Sequence, residues 1–145
     1  MKKLKKFIPF RKKHPQVAVI KLAGVIAASS SLRKGLNLQS IETHLHDAFS
    51  NKRTTAVALV VNSPGGSPVQ SDLIQKRVRD LGQEFKKPIF VFCEDVAASG
   101  GYWIALAGDE IYANASSIIG SIGVVSAVFG FKEALSKLGI ERRIY

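Results

Sequence analysis

Thr54-Thr55-Ala56-Val57-Ala58-Leu59-Val60-Val61, followed by Asn62-Ser63-Pro64-Gly65-Gly66-Ser67-Pro68, is the stretch that decides the fold. Its first eight residues are largely β-branched and apolar on both faces, the pattern of a strand inside a covered parallel sheet. The next seven cannot continue that strand, because their prolines and glycines impose a turn. Val69 to Phe85 then reads as an amphipathic helix, with Val69, Leu73, Val78, Leu81 and Phe85 towards a core.

The same alternation extends outward in both directions. Val17 to Ile26 reads as a mostly buried strand. Beyond the break at Gly35, Leu38, Ile41, Leu45, Ala48 and Phe49 recur at helical spacing. On the other side, Pro88 opens a third strand, Ile89 to Cys93. Ala97-Ala98-Ser99-Gly100-Gly101 starts a small-residue helix that runs towards Ala107. A short strand at Glu110–Ala113, a glycine-punctuated one over Ile118–Val125 and a helix over Phe131–Leu138 follow, with Gly139 as C-terminal cap. This order implies an α/β fold with a mostly parallel sheet. The chain divides into a basic tail, residues 1–16, and one domain over residues 17–145. The extended segment Glu141–Tyr145 stops soon after it starts, so the expectation is a domain that is C-terminally incomplete.

Composition narrows the function. Apolar residues make up 46% of the 145, enough for a packed core rather than a disordered chain. The net charge of +10 is mostly local. Lys2, Lys3, Lys5, Lys6, Arg11, Lys12 and Lys13 account for seven of the 21 basic residues, leaving 14 against 11 acids elsewhere. The body therefore shows no basic stripe, which argues against nucleic acid. The tail, with Phe7, Ile8 and Phe10 among its lysines, suits contact with an anionic membrane surface. It does not read as a signal peptide, since Arg11 interrupts the apolar run after four residues, and no stretch is long enough to span a membrane. The expected location is cytoplasmic or peripheral to the inner membrane. Cys93 is the single cysteine, which excludes an intrachain disulfide, and its apolar setting reads as a buried thiol. No cofactor or metal is expected.

Two glycine loops lie at the C-terminal ends of neighbouring strands, where α/β sheets place their ligands. The Gly65-Gly66 turn is no phosphate loop, because no Gly-Lys-Ser/Thr follows it. Ser99 stands at a strand-to-helix turn between residues with almost no side chain. Alone it could be a plain helix N-cap. With the opposing loop it suggests acyl transfer, which needs a nucleophile, two N–H donors and a base. Ser99 would be the nucleophile, Gly66 and Gly100 the backbone donors, and Gly65 a support for the loop. His14, His44 and His46 all precede Ser99, unlike the Ser…Asp…His order of an α/β-hydrolase. A Ser-Lys pair remains, in which a desolvated lysine accepts the serine proton.

Val60-Val61-Asn62-Ser63-Pro64-Gly65-Gly66-Ser67, Val96-Ala97-Ala98-Ser99-Gly100-Gly101-Tyr102-Trp103-Ile104-Ala105 and Ile119-Gly120-Ser121-Ile122-Gly123-Val124 closely resemble the S49 serine peptidases, the family of signal peptide peptidase A and its SohB-like relatives. The resemblance covers roughly Val17 to Tyr145. It implies a ClpP/crotonase-like fold of stacked βαβ units, homo-oligomeric assembly, and cleavage of extended apolar peptides such as signal-peptide remnants. It matches Ser99 to the nucleophile and Gly100 and Gly66 to the oxyanion donors. The histidine of related Clp proteases has no counterpart in Gly123-Val124-Val125, which favours the lysine pair. The family's base lysine lies beyond a segment like Ile140-Glu141-Arg142-Arg143-Ile144-Tyr145, so this chain is expected to lack it. Lys132 and Lys137 match no catalytic position. Two other readings are an inactive subunit that joins or blocks a peptidase oligomer, and a crotonase-type acyl-CoA enzyme, which usually carries a glycine where Ser99 stands.

Overall fold

The computed structural model describes residues 14–28, 35–123 and 129–141. The basic segment up to Lys13, Val124-Val125 and residues 142–145 lie outside the described residues. The element order is β1 (Gln16–Ala23), α1 (Leu38–Ser50), β2 (Thr54–Ser63), α2 (Pro68–Phe85), β3 (Ile89–Ala98), α3 (Gly100–Ala105), β4 (Glu110–Ala113), β5 (Ile118–Gly120) and α4 (Lys132–Lys137). All paired strands are parallel, in the order β1-β2-β3-β4, with β5 also paired to β3. This is the α/β architecture expected from the alternating pattern, and it is consistent with a ClpP/crotonase-like fold.

One face of the sheet carries the core. Ile20, Leu22, Val57, Leu59, Val61, Ile89, Val91 and Cys93 pack there against α1, α2 and α3. Ile41, Leu45 and Phe49 of α1 reach them at i, i+4 and i+8, one stripe of a helix. Asn37 starts α1 with a capping box: its side chain accepts from Ser40 N–H at 2.9 Å, and the Ser40 side chain faces the Asn37 N–H. The Cys93 thiol is buried and its pKa is raised by desolvation, as a structural cysteine's should be.

Three sequence expectations need correction. The stripe of α2 that enters the core is Ser71, Ile74, Val78, Leu81 and Gly82, whereas Val69 is 66% and Leu73 40% exposed. Ser71 occupies a core position because its hydroxyl donates to the Ser67 carbonyl at 2.8 Å, which satisfies it without water. The sheet is also not covered on both sides by the described residues. Val17, Val19, Phe92 and Tyr112 point away from the helices and are exposed, with the Phe92 and Tyr112 rings stacked at 5.1 Å. β3 runs five residues longer than the apolar run suggested, to Ala98. Gly139 does cap α4. At φ 69° its N–H donates to Ser136 and the Ile140 N–H donates to Leu135, a Schellman closure.

Asp109 fastens β3 to the chain entering β4. Its carboxylate accepts from the Ile89 N–H at 2.8 Å and from Arg79 at 2.7 Å, and these bonds hold its pKa below the usual carboxylate value. A folded pKa below the unfolded value means stability present at neutral pH and lost as pH falls through the folded value. Asp109→Asn should therefore lower the melting temperature at pH 7, and the gap to the parent chain should narrow as pH falls below the usual carboxylate range. Thermal melts over that fall in pH check this; a gap independent of pH would contradict it.

Candidate active site

The β2–β3 pairing places the two glycine loops side by side. Val61 pairs with Cys93, but Ser63 pairs with Ala97, so β3 holds two more residues than β2 in this interval. Asn62 fills the slip: its amide donates to Asp95 at 2.9 Å and accepts from the Val96 N–H at 3.3 Å. The bulge brings Ser99 and Gly100 level with the Gly65-Gly66 turn.

Contact between the loops is close. A Cβ on Gly65 would lie 2.7 Å from the Gly100 nitrogen and 2.8 Å from the Ser99 Cβ. Gly65 also holds φ 97°, so only glycine fits on both counts. A Cβ on Gly66 would run into the Ile26 carbonyl. Around the turn, Ile26 N–H donates to Gly65 O at 2.9 Å and Ser67 N–H donates to Ile26 O at 2.8 Å. The Gly65 N–H is taken by the Ser63 hydroxyl at 3.1 Å. The Gly66 N–H alone in this turn has no partner among the described residues.

Ser99 sits at φ 52°, ψ −120°, a region that glycine occupies in type II′ turns and other residues rarely enter. Such a residue costs of order 1–3 kcal/mol and persists only where its surroundings fix it. Here the Ser99 N–H donates to Gly120 O at 2.7 Å and the Ser99 carbonyl accepts from Trp103 N–H at 3.0 Å. Although it stands at the N-cap position of α3, its side chain makes no capping bond. The plain N-cap reading is thereby removed. The next N–H, that of Gly100, has no partner among the described residues.

Gly66, Ser99 and Gly100 line one cavity of about 330 Å³, with Pro68, Tyr102, Trp103, Leu106, Ile122 and Gly123 as its walls. The structure thus brings together all four residues singled out in the sequence, Gly65 from just behind the wall. No lysine, histidine or carboxylate lines the cavity among the described residues. His46 instead meets the Phe85 ring edge-on at 6.0 Å, and His44 lines a separate groove beside Val19 and Lys21. Lys132 and Lys137 are on α4 and line no part of the cavity. The sequence reading missed Ser63 and the Gly120 carbonyl. A serine two residues before a glycine at a strand end is an ST-turn signal, so Ser63 was findable. The Gly120 contact is tertiary and left no local trace.

Residues 82–145, which include Ser99, match the model described as Peptidase family S49. Protease 4 of Haemophilus influenzae is 35% identical over 86% of this chain and 20% of its own length. Serine protease SPPA, chloroplastic, of Arabidopsis thaliana is 30% identical over 88% of this chain and 19% of its own. The chain belongs to peptidase family S49. A Brucella melitensis biotype 1 protein named Na(+)/H(+) antiporter NhaA is also similar, 57% identical over 98% of this chain and 20% of that protein. The S49 chain spans about a fifth of the length of each of these relatives. Among its described residues no helix is long and apolar enough to cross a membrane.

The backbone strain at Ser99 has a measurable consequence in this S49 chain. Ser99→Gly and Ser99→Ala both remove the hydroxyl, but only the glycine relaxes φ 52°. Ser99→Gly should be the more stable by about 1 kcal/mol after the extra entropy of its unfolded state. Denaturant unfolding of the pair checks this, and a more stable alanine variant would contradict it.

Proposed function

We propose that this chain is the serine-bearing part of a serine peptidase that cleaves extended apolar peptides, such as signal-peptide remnants. The observation that supports it best is Ser99, held in a strained conformation with its side chain free of capping, on an apolar cavity flanked by two N–H groups that have no partner among the described residues. In this reading the Ser99 Oγ attacks the peptide carbonyl carbon, and its proton passes to a general base. The carbonyl oxygen becomes an oxyanion held by the N–H groups of Gly66 and Gly100, each donor of this kind being worth about 10²–10³ in rate. The base returns the proton to the leaving amine, and water then hydrolyses the acyl-enzyme.

The base we assign is a lysine that is not among the described residues lining the cavity, since a neutral amine in a desolvated site can take the serine proton. Trp103, Leu106 and Ile122 give the cavity an apolar wall suited to apolar side chains of the substrate. We further propose that the chain works in a homo-oligomer and that its basic N-terminal segment touches an anionic membrane surface.

A fluorophosphonate probe should label the chain slowly at Ser99, and Ser99→Ala should abolish labelling. The same 145-residue chain should cleave no peptide, because no lysine lines the cavity among its described residues and a serine without a base is a weak nucleophile at neutral pH. Labelling elsewhere, or turnover abolished by Ser99→Ala, would overturn the respective parts of this reading.

A further inference from the structure

Ser63 is a fully buried hydroxyl at the end of β2, and the acyl-transfer chemistry described above makes no use of it. It donates to the Gly24 carbonyl at 2.7 Å and accepts from the Gly65 N–H at 3.1 Å. These bonds join three segments: the exit of β1, the end of β2 and the glycine turn. The main chain of Ser63 also lies against α3, where a Cβ on Gly101 would strike the Ser63 carbonyl and come within 3.1 Å of the Ser63 Cβ. One residue therefore touches both loops of the site, through its hydroxyl on one side and its backbone on the other.

We propose that Ser63 is a positioning residue for the oxyanion site: its hydroxyl fixes the Gly65 peptide and so aims the neighbouring Gly66 N–H into the cavity beside Ser99. The physical reason is the alternation of partners around the turn. The Gly65 N–H is taken by Ser63 and the Ser67 N–H by Ile26, which leaves the N–H of Gly66, a residue lining the cavity, without a partner among the described residues. Without the hydroxyl, the buried Gly65 N–H loses its partner, and the exposed Gly24 loses the bond that ties it to β2. Two consecutive glycines can then rotate to regain hydrogen bonds, carrying the Gly66 N–H with them. Ser99 keeps its own anchors, Gly120 and Trp103, and stays in place.

This inference rests on the peptidase reading, and its test separates the two. Ser63→Ala, Ser63→Thr and Asp109→Asn are compared with the parent chain at one temperature below every melting point. Asp109→Asn serves as the control for lost stability remote from the site. The fluorophosphonate labelling rate of Ser99 should fall about tenfold or more in Ser63→Ala, recover in Ser63→Thr, which keeps the hydroxyl, and stay within about twofold in Asp109→Asn. Amide hydrogen exchange should show the Gly65 N–H losing protection in Ser63→Ala beyond any loss in Asp109→Asn. A Ser63→Ala chain labelled as fast as the parent overturns the positioning role. So does unchanged Gly65 protection, whether or not Ser99 reacts. If Ser63→Ala does not fold, the threonine variant decides: loss of both labelling and Gly65 protection in a folded Ser63→Thr overturns the proposal. Failure of the parent chain to label counts against the peptidase reading instead, and the exchange arm still decides Ser63.

Discussion

Parallel pairing of β2 with β3 would, if it ran in constant register, carry Ser99 two residues past Gly65 of the glycine turn. The slip after Val61 removes that mismatch, because β3 absorbs two extra residues before pairing resumes at Ser63–Ala97. A slip leaves ladder groups without partners, and the Asn62 side chain supplies one by accepting from the Val96 N–H. β5 then joins β3 over Val96–Ala98, just past the bulge, and its last residue receives the Ser99 N–H. The site depends on this order of events along one strand. The core below it, built on Val57, Leu59, Val91 and Ile89, supplies the rigidity.

The strain at Ser99 and the crowding of the glycines are two sides of one arrangement. Loops that approach within the width of a methyl group have no room for side chains, so Gly65, Gly66, Gly100 and Gly101 all lie where a Cβ would meet other atoms. That closeness also fixes the backbone, which is what lets a serine stay at a positive φ. The conformation turns its Cβ away from the capping geometry that a serine at this position would otherwise adopt. Stability is given up locally, and the result is a hydroxyl that makes no capping bond beside two N–H groups without a partner among the described residues.

Much of this was legible in the sequence where the signal was local. α1 was readable because Ile41, Leu45 and Phe49 repeat at helical spacing, and Gly139 because a left-handed C-cap needs a glycine. The glycine loops and Ser99 were readable from their composition and their places at strand ends. The core face of α2 was not, because a buried serine stands where an apolar residue is expected and Val69 and Leu73 are left outside. Asn62 and the Gly120 carbonyl act through partners 34 and 21 positions away, respectively, and hydrophobic periodicity carries no trace of such bonds; of Ser63's two bonds only the one to Gly65 is local. The walls of the cavity were hidden for the same reason: Pro68, Leu106 and Ile122 meet only once the sheet is assembled.

In the proposed chemistry Ser99 faces a site where an oxyanion is held by the Gly66 and Gly100 N–H groups. A crystal structure of the chain carrying a fluorophosphonate adduct tests this most directly, because the phosphonyl oxygen stands where the oxyanion would. The expected result is an adduct on the Ser99 Oγ with that oxygen about 3 Å from both nitrogens. An adduct whose oxygen points away from both, or one formed on another residue, would contradict it.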